Sequence, residues 1–122
     1  MKKIVIVEDD RDLQHIFKSV LHKAGYSVQL FSDGRSMMLS GILPDIFILD
    51  IELPFLSGLQ ICRQLKGDLR TSHIPVLMVS ASATLLTQAK DACADAALEK
   101  PFDGRVLVDR VKELLTSSNA NA

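Results

Sequence analysis

The sequence predicts an α/β fold, a doubly wound five-stranded parallel sheet with helices on both faces. Short β-branched or apolar runs alternate with stretches of helical periodicity five times along the 122 residues. The connections are short, so successive strands return to one sheet through right-handed crossovers. The strand runs are continuously apolar, as in strands covered on both faces.

Ile4-Val5-Ile6-Val7 is the first such run. It stops at Glu8-Asp9-Asp10, where Asp10 is placed to cap a helix carrying Leu13, Ile16, Phe17, Val20 and Leu21 at helical spacing. Gly25 then acts as a C-terminal stop. Ser27–Phe31 reads as a second strand and Gly34–Ser40 as a short helix. Ile46-Phe47-Ile48-Leu49 is a strongly buried third strand ending at Asp50. Next comes a loop from Leu53 to Gly58, with Ser57 as N-cap of a helix through about Lys66. Ile74–Val79, bent at its start by Pro75, is the fourth strand and ends at Ser80. A weaker helix spans about Leu85–Cys93, and Ala96–Glu99 is a strand of poor propensity before Lys100-Pro101. Val106, Leu107, Val111, Leu114 and Leu115 mark the last helix.

Fourteen basic and 15 acidic side chains leave a net charge of -1, so no strong field draws the chain to nucleic acid or to anionic lipid. The apolar runs reach about five residues, far short of a membrane span. Met1-Lys2-Lys3-Ile4 leads into a strand without a small-residue cleavage site and does not read as a signal peptide. Cys62 and Cys93 each sit in an apolar helical pattern and read as reduced packing residues, the expectation for a cytoplasmic protein.

In an open α/β sheet ligands bind beyond the carboxyl ends of the strands. There the first strand delivers Glu8 and Asp9, the third Asp50, the fourth Ser80 and the fifth Lys100. Clustered carboxylates repel, and one protonates unless a cation neutralises them. The ligand set is hard oxygen without thiol or imidazole, which favours Mg²⁺, with Mn²⁺ as a substitute, over Zn²⁺. Asp50 is the candidate nucleophile, because carboxylates form acyl phosphates; Lys100 and Ser80 are placed to meet phosphoryl oxygens. Taken singly, each residue has a structural explanation: helix caps for the acids, a turn for Asp50, a solvated lysine for Lys100. Their joint placement on one edge is what points to chemistry.

The combination Ile4-Val5-Ile6-Val7-Glu8-Asp9-Asp10, Ile48-Leu49-Asp50 with Pro54 and Gly58, Val79-Ser80-Ala81 and Lys100-Pro101-Phe102 resembles the response-regulator receiver domains of two-component signalling over about residues 3 to 116. The resemblance implies the flavodoxin-like strand order 2-1-3-4-5 and a receiver domain at 1–117; the polar, small residues that follow, 118–122, read as a disordered tail or linker stub. It implies that Asp50 receives a phosphoryl group from a sensor histidine kinase or a histidine phosphotransfer protein. Glu8, Asp9, Asp50 and the carbonyl of Glu52 would hold Mg²⁺, and the Lys100–Pro101 bond would be cis. The phosphorylated state would draw Ser80 inward and alter a face built from the fourth helix, fifth strand and fifth helix, read by a downstream protein target. The role is that of a phosphoryl acceptor, with at most self-phosphorylation and self-dephosphorylation activity, and without direct contact to nucleic acid or membrane.

The chain departs from the family pattern at Ala97, where an aromatic residue is usual three positions before the lysine, and at Cys93, where a glycine commonly ends the fourth helix. Glu52 and Ser82 occupy the positions at which the family tunes phosphoryl lifetime. Two other functions stay open on the residues: a docking module that does not use phosphorylation, and a phosphohydrolase of the haloacid-dehalogenase type suggested by Asp50-Ile51-Glu52. His15 and His22 share a helix face without a third ligand and read as solvated, and Met37, Met38 and Met78 read as core filler.

Overall fold

The computed structural model describes residues 1–92 and 94–120, so the reading of Cys93 as a packing residue and helix end lies outside the described residues. Five strands, β1 (Lys3–Val7), β2 (Ser27–Phe31), β3 (Ile46–Asp50), β4 (Val76–Ser80) and β5 (Ala96–Glu99), alternate with α1 (Arg11–Lys23), α2 (Gly34–Ser40), α3 (Gly58–Lys66), α4 (Ala83–Asp91) and α5 (Gly104–Ala120). The sheet is parallel throughout in the order β2-β1-β3-β4-β5.

Because side chains alternate across a strand, each buried run supplies two cores. Val5, Val7, Phe47, Leu49, Val76 and Met78 face Met37 of α2, Leu59, Ile61, Cys62 and Leu65 of α3, and Ala89 of α4. Ile4, Ile6, Ile46, Ile48, Leu77 and Val79 face Phe17 and Leu21 of α1 and Leu107, Val111 and Leu115 of α5. The Phe17 and Phe102 rings stack on that second face, 5.5 Å apart at 12°.

The caps are where the sequence puts them. The Asp10 carboxylate accepts from the amides of Asp12 and Leu13 at 2.9 and 3.2 Å. Gly25, at φ +97°, takes the left-handed turn after α1. Ser57 and Gln60 form a reciprocal capping box at the start of α3.

Three boundaries differ from expectation. β4 starts at Val76 rather than Ile74: Pro75 has no amide hydrogen for a ladder, and only its carbonyl takes part, accepting from Phe47 at 3.0 Å. α4 starts at Ala83 rather than near Leu85, because the Ser82 hydroxyl accepts from the Leu85 amide at 3.2 Å and so acts as N-cap. The backbone of α5 stays helical to Ala120, reaching into the 118–122 stretch expected as a tail; an established helix gains a hydrogen bond with each residue it adds. Residues 121 and 122 lie outside the described residues.

Candidate functional site

The register of the sheet aligns the ends of its strands. Val7 lies opposite Leu49, Asp50 opposite Val79, and Ser80 opposite Glu99. The residues at or just past those positions are Glu8, Asp50, Ser80 and Lys100, which therefore meet at one carboxyl edge. β1 lies between β2 and β3, so the chain switches direction beside the same crevice, where α/β sheets leave room for ligands. An open cleft of about 360 Å³ lies there, lined by Glu8, Asp9, Asp10, Leu13, Asp50, Glu52, Ala81 and Lys100.

Lys100 ties the cleft together. Its ammonium lies 2.7 Å from Glu8 Oε1 and 3.0 Å from Asp50 Oδ2. Its amide donates to the Ser80 carbonyl at 2.8 Å, and the Lys100–Pro101 bond is cis, as the resemblance implied. Burial alone would lower the lysine pKa, but the hydrogen bonds to Glu8 and Asp50 outweigh it and raise the pKa above the ordinary lysine value.

Glu8 is 1% exposed and Asp50 is 5% exposed, so both carboxylates are withdrawn from water. Burial, reinforced by the neighbouring Asp50 charge and opposed by Lys100 and by the Asp10 amide, pushes Glu8 up to about 7. The Asp10 amide donates to Glu8 Oε2 at 3.2 Å and the Glu52 amide to Asp50 Oδ1 at 3.1 Å. Each buried carboxylate thus has one oxygen on the lysine and the other on a backbone amide.

Asp9 is exposed, yet it offers an oxygen that lies with oxygens of Glu8 and Asp50 inside a 4.8 Å group. That group fits a hard divalent cation: three carboxylate donors, one of them a buried acid pushed toward its neutral form chiefly by burial and further by the neighbouring Asp50 charge. The Glu52 side chain lines the cleft, although the resemblance assigned that residue's carbonyl to the metal.

Ser80 is fully buried at the same edge, but its hydroxyl is engaged elsewhere. It donates to Glu52 Oε1 at 2.9 Å and accepts from the Ser82 amide at 3.0 Å. Phe55, in the loop between β3 and α3, is 92% exposed, whereas Leu56 packs against the core. His15 and His22 are exposed on α1 and join no metal group among the described residues.

Sequence reasoning missed Gln14, whose side-chain amide donates to the Glu8 carbonyl and, at 3.2 Å, to the Ser32 hydroxyl. It fixes the backbone that carries Glu8. A single glutamine on a helix gives no signal in sequence, since its partner belongs to a neighbouring strand end.

A family model for the response regulator receiver domain matches residues 4–112. The chain is 37% identical over 119 residues to the DNA-binding dual master transcriptional regulator RpaA of Synechocystis, covering 94% of this chain and 49% of that protein. It is 37% identical over 117 residues to the response regulator MprA of Mycobacterium tuberculosis, covering 93% and 50%. The chain therefore spans about half the length of these curated relatives. Among solved structures, a CheY-like response regulator receiver domain protein from Methanospirillum hungatei JF-1 superposes with a TM-score of 0.92 at 25% identity, over 100% of this chain and 99% of the other.

Proposed function

The chain belongs to the response regulator receiver domain family, the phosphoryl-accepting modules of two-component signalling, and we propose that Asp50 is its acceptor, with Lys100 and Ser80 meeting the phosphoryl oxygens. The observation that carries this assignment is the single ammonium of Lys100 between Glu8 and Asp50, at 2.7 and 3.0 Å, on the wall of an open cleft.

In the proposed step an Asp50 carboxylate oxygen attacks the phosphorus of a phosphohistidine. An acyl phosphate bond forms, the phosphorus–nitrogen bond breaks, and its electron pair passes to the departing imidazole. The Glu52 amide and Lys100 fix the carboxylate's orientation beforehand, which lowers the entropic part of the barrier. Lys100 then offers its charge to a phosphoryl oxygen, because positioning and charge neutralisation carry most of phosphoryl-transfer catalysis. Glu8, Asp9, Asp50 and the Glu52 carbonyl would hold Mg²⁺, or Mn²⁺ in its place, and the bound cation would offset the negative charge gathered on the acids and the phosphoryl oxygens.

The donor in this reading is a sensor histidine kinase or a histidine phosphotransfer protein, and the output is a protein contact through α4, β5 and α5. RpaA is named as DNA-binding; this chain spans half of it, and we assign the chain no nucleic-acid contact. Among the described residues no helix is long and apolar enough to cross a membrane. The hydrolase alternative does not accord with a receiver match over residues 4–112.

The test uses phosphoramidate, a small phosphorus–nitrogen donor, with Mg²⁺ and intact-mass detection. One acid-labile phosphoryl increment is expected in the wild-type chain and none in Asp50→Asn. Incorporation that survives Asp50→Asn moves the acceptor elsewhere. A wild-type chain that takes up no phosphoryl group and also shows no amide shifts with beryllium fluoride is a docking module instead.

A further inference from the structure

We infer that Glu52 is a latch on Ser80, holding its hydroxyl away from the acceptor until a phosphoryl group displaces it. A serine hydroxyl carries one hydrogen. Here that hydrogen is committed to Glu52 Oε1 at 2.9 Å, and the oxygen also accepts from the Ser82 amide at 3.0 Å. Ser80 is fully buried, whereas Glu52 is exposed, so the carboxylate reaches in from the cleft rim to take the hydrogen bond. For Ser80 to donate to a phosphoryl oxygen on Asp50, the bond to Glu52 must break.

The latch is also connected outward. The Ser82 hydroxyl caps α4 through the Leu85 amide at 3.2 Å, so turning Ser80 releases the amide of the very residue that caps α4. This gives α4 a link to the site that does not involve residue 97, where Ala97 supplies no ring. The inference rests on Asp50 as acceptor, and it makes Glu52 a positioning residue that acts through Ser80.

Removing the latch should favour the phosphoryl-bound arrangement. With saturating Mg²⁺, beryllium fluoride titrated against the whole chain and followed by amide NMR should bind Glu52→Met about tenfold more tightly than wild type, the scale of one lost charge-assisted hydrogen bond. In a Ser80→Ala background the same Glu52→Met change should alter affinity less than twofold, because no hydroxyl remains to be released. An equal gain in both backgrounds overturns the latch in favour of simple charge repulsion, and no gain with binding intact overturns it outright. Absence of binding in every chain, wild type included, overturns the acceptor assignment and the latch with it.

A second readout avoids the buried Ser80→Ala change. In ligand-free Glu52→Met, the Ser82 and Leu85 amide resonances should already lie part way toward those of fluoride-saturated wild type. Coincidence with ligand-free wild type counts against the latch.

Discussion

Glu8 is a buried acid whose pKa is shifted well above its ordinary value. Its folded-state pKa of about 7 stands above the ordinary value of 4.5, so between those values the folded chain holds more protons than the unfolded one. The contribution to stability is therefore fully present below 4.5 and is lost as pH rises through 7. Without divalent cations, chemical denaturation should show the wild type losing about 2–3 kcal/mol across that window, and Glu8→Gln should remove most of the slope. Phe55 is a second residue with a local cost. It sits at φ +67°, in the left-handed region, with its ring 92% exposed and little packing in return. Phe55→Gly should stabilise the fold by about 0.5–1 kcal/mol, since the relieved strain exceeds the added backbone entropy of glycine. A stability loss on that substitution would show that the ring packs more productively than its exposure implies.

Among the elements, the loop from β3 into α3 sets the position of Asp50. A Cβ built on Gly58 would lie 2.3 Å from the Asp50 carbonyl oxygen and 2.8 Å from Ile51 Cα, both backbone atoms without side-chain freedom to yield. The Gly58 amide itself donates to the Ile51 carbonyl at 2.9 Å. Gly58→Ala should therefore cost about 2–3 kcal/mol and push α3 away from the end of β3. Phosphoramidate labelling should slow with it, because Asp50 is the residue displaced. Full-rate labelling in a destabilised chain would mean that the loop absorbs the strain without moving the carboxylate. α4 contrasts with α3: its buried helical residue is Ala89 alone, whereas α3 buries Leu59, Ile61, Cys62 and Leu65. The helix tied to Ser80 through its cap thus holds its face of the core with fewer fully buried side chains, Leu85 and Leu86 packing there only partly buried.

For the whole molecule, the two cores on either side of the sheet fix the site's geometry by fixing strand register. Three of the buried polar residues, Glu8, Asp50 and Ser80, lie at the site, and among the described residues no buried side-chain nitrogen or oxygen lacks a partner. A cation that binds only the folded chain stabilises it by mass action, about 2.7 kcal/mol at one hundred times its dissociation constant. The melting temperature should rise with Mg²⁺ in the wild type, and the rise should vanish in Asp9→Asn/Asp50→Asn. An equal rise in that variant would place the cation away from the acidic cluster.

The sequence by itself determined the elements, their order and the edge on which the chemistry collects. Continuous apolar runs such as Ile46–Leu49 specify strands buried on both faces, and residues such as Asp10, Ser57 and Gly25 act on their own backbone neighbourhood, so local pattern suffices to read them. Because strands in a parallel sheet point the same way, the residues at their carboxyl ends share one edge, and strand order along the chain alone assembles Glu8, Asp50, Ser80 and Lys100 there. The hydrogen bonds among them were decided only by tertiary structure. Lys100 lies 92 residues from Glu8 and 50 from Asp50, and Ser80 lies 28 from Glu52. At those separations the Ser80 hydroxyl's bond to Glu52 depends on side-chain geometry across neighbouring strands, which no local periodicity encodes.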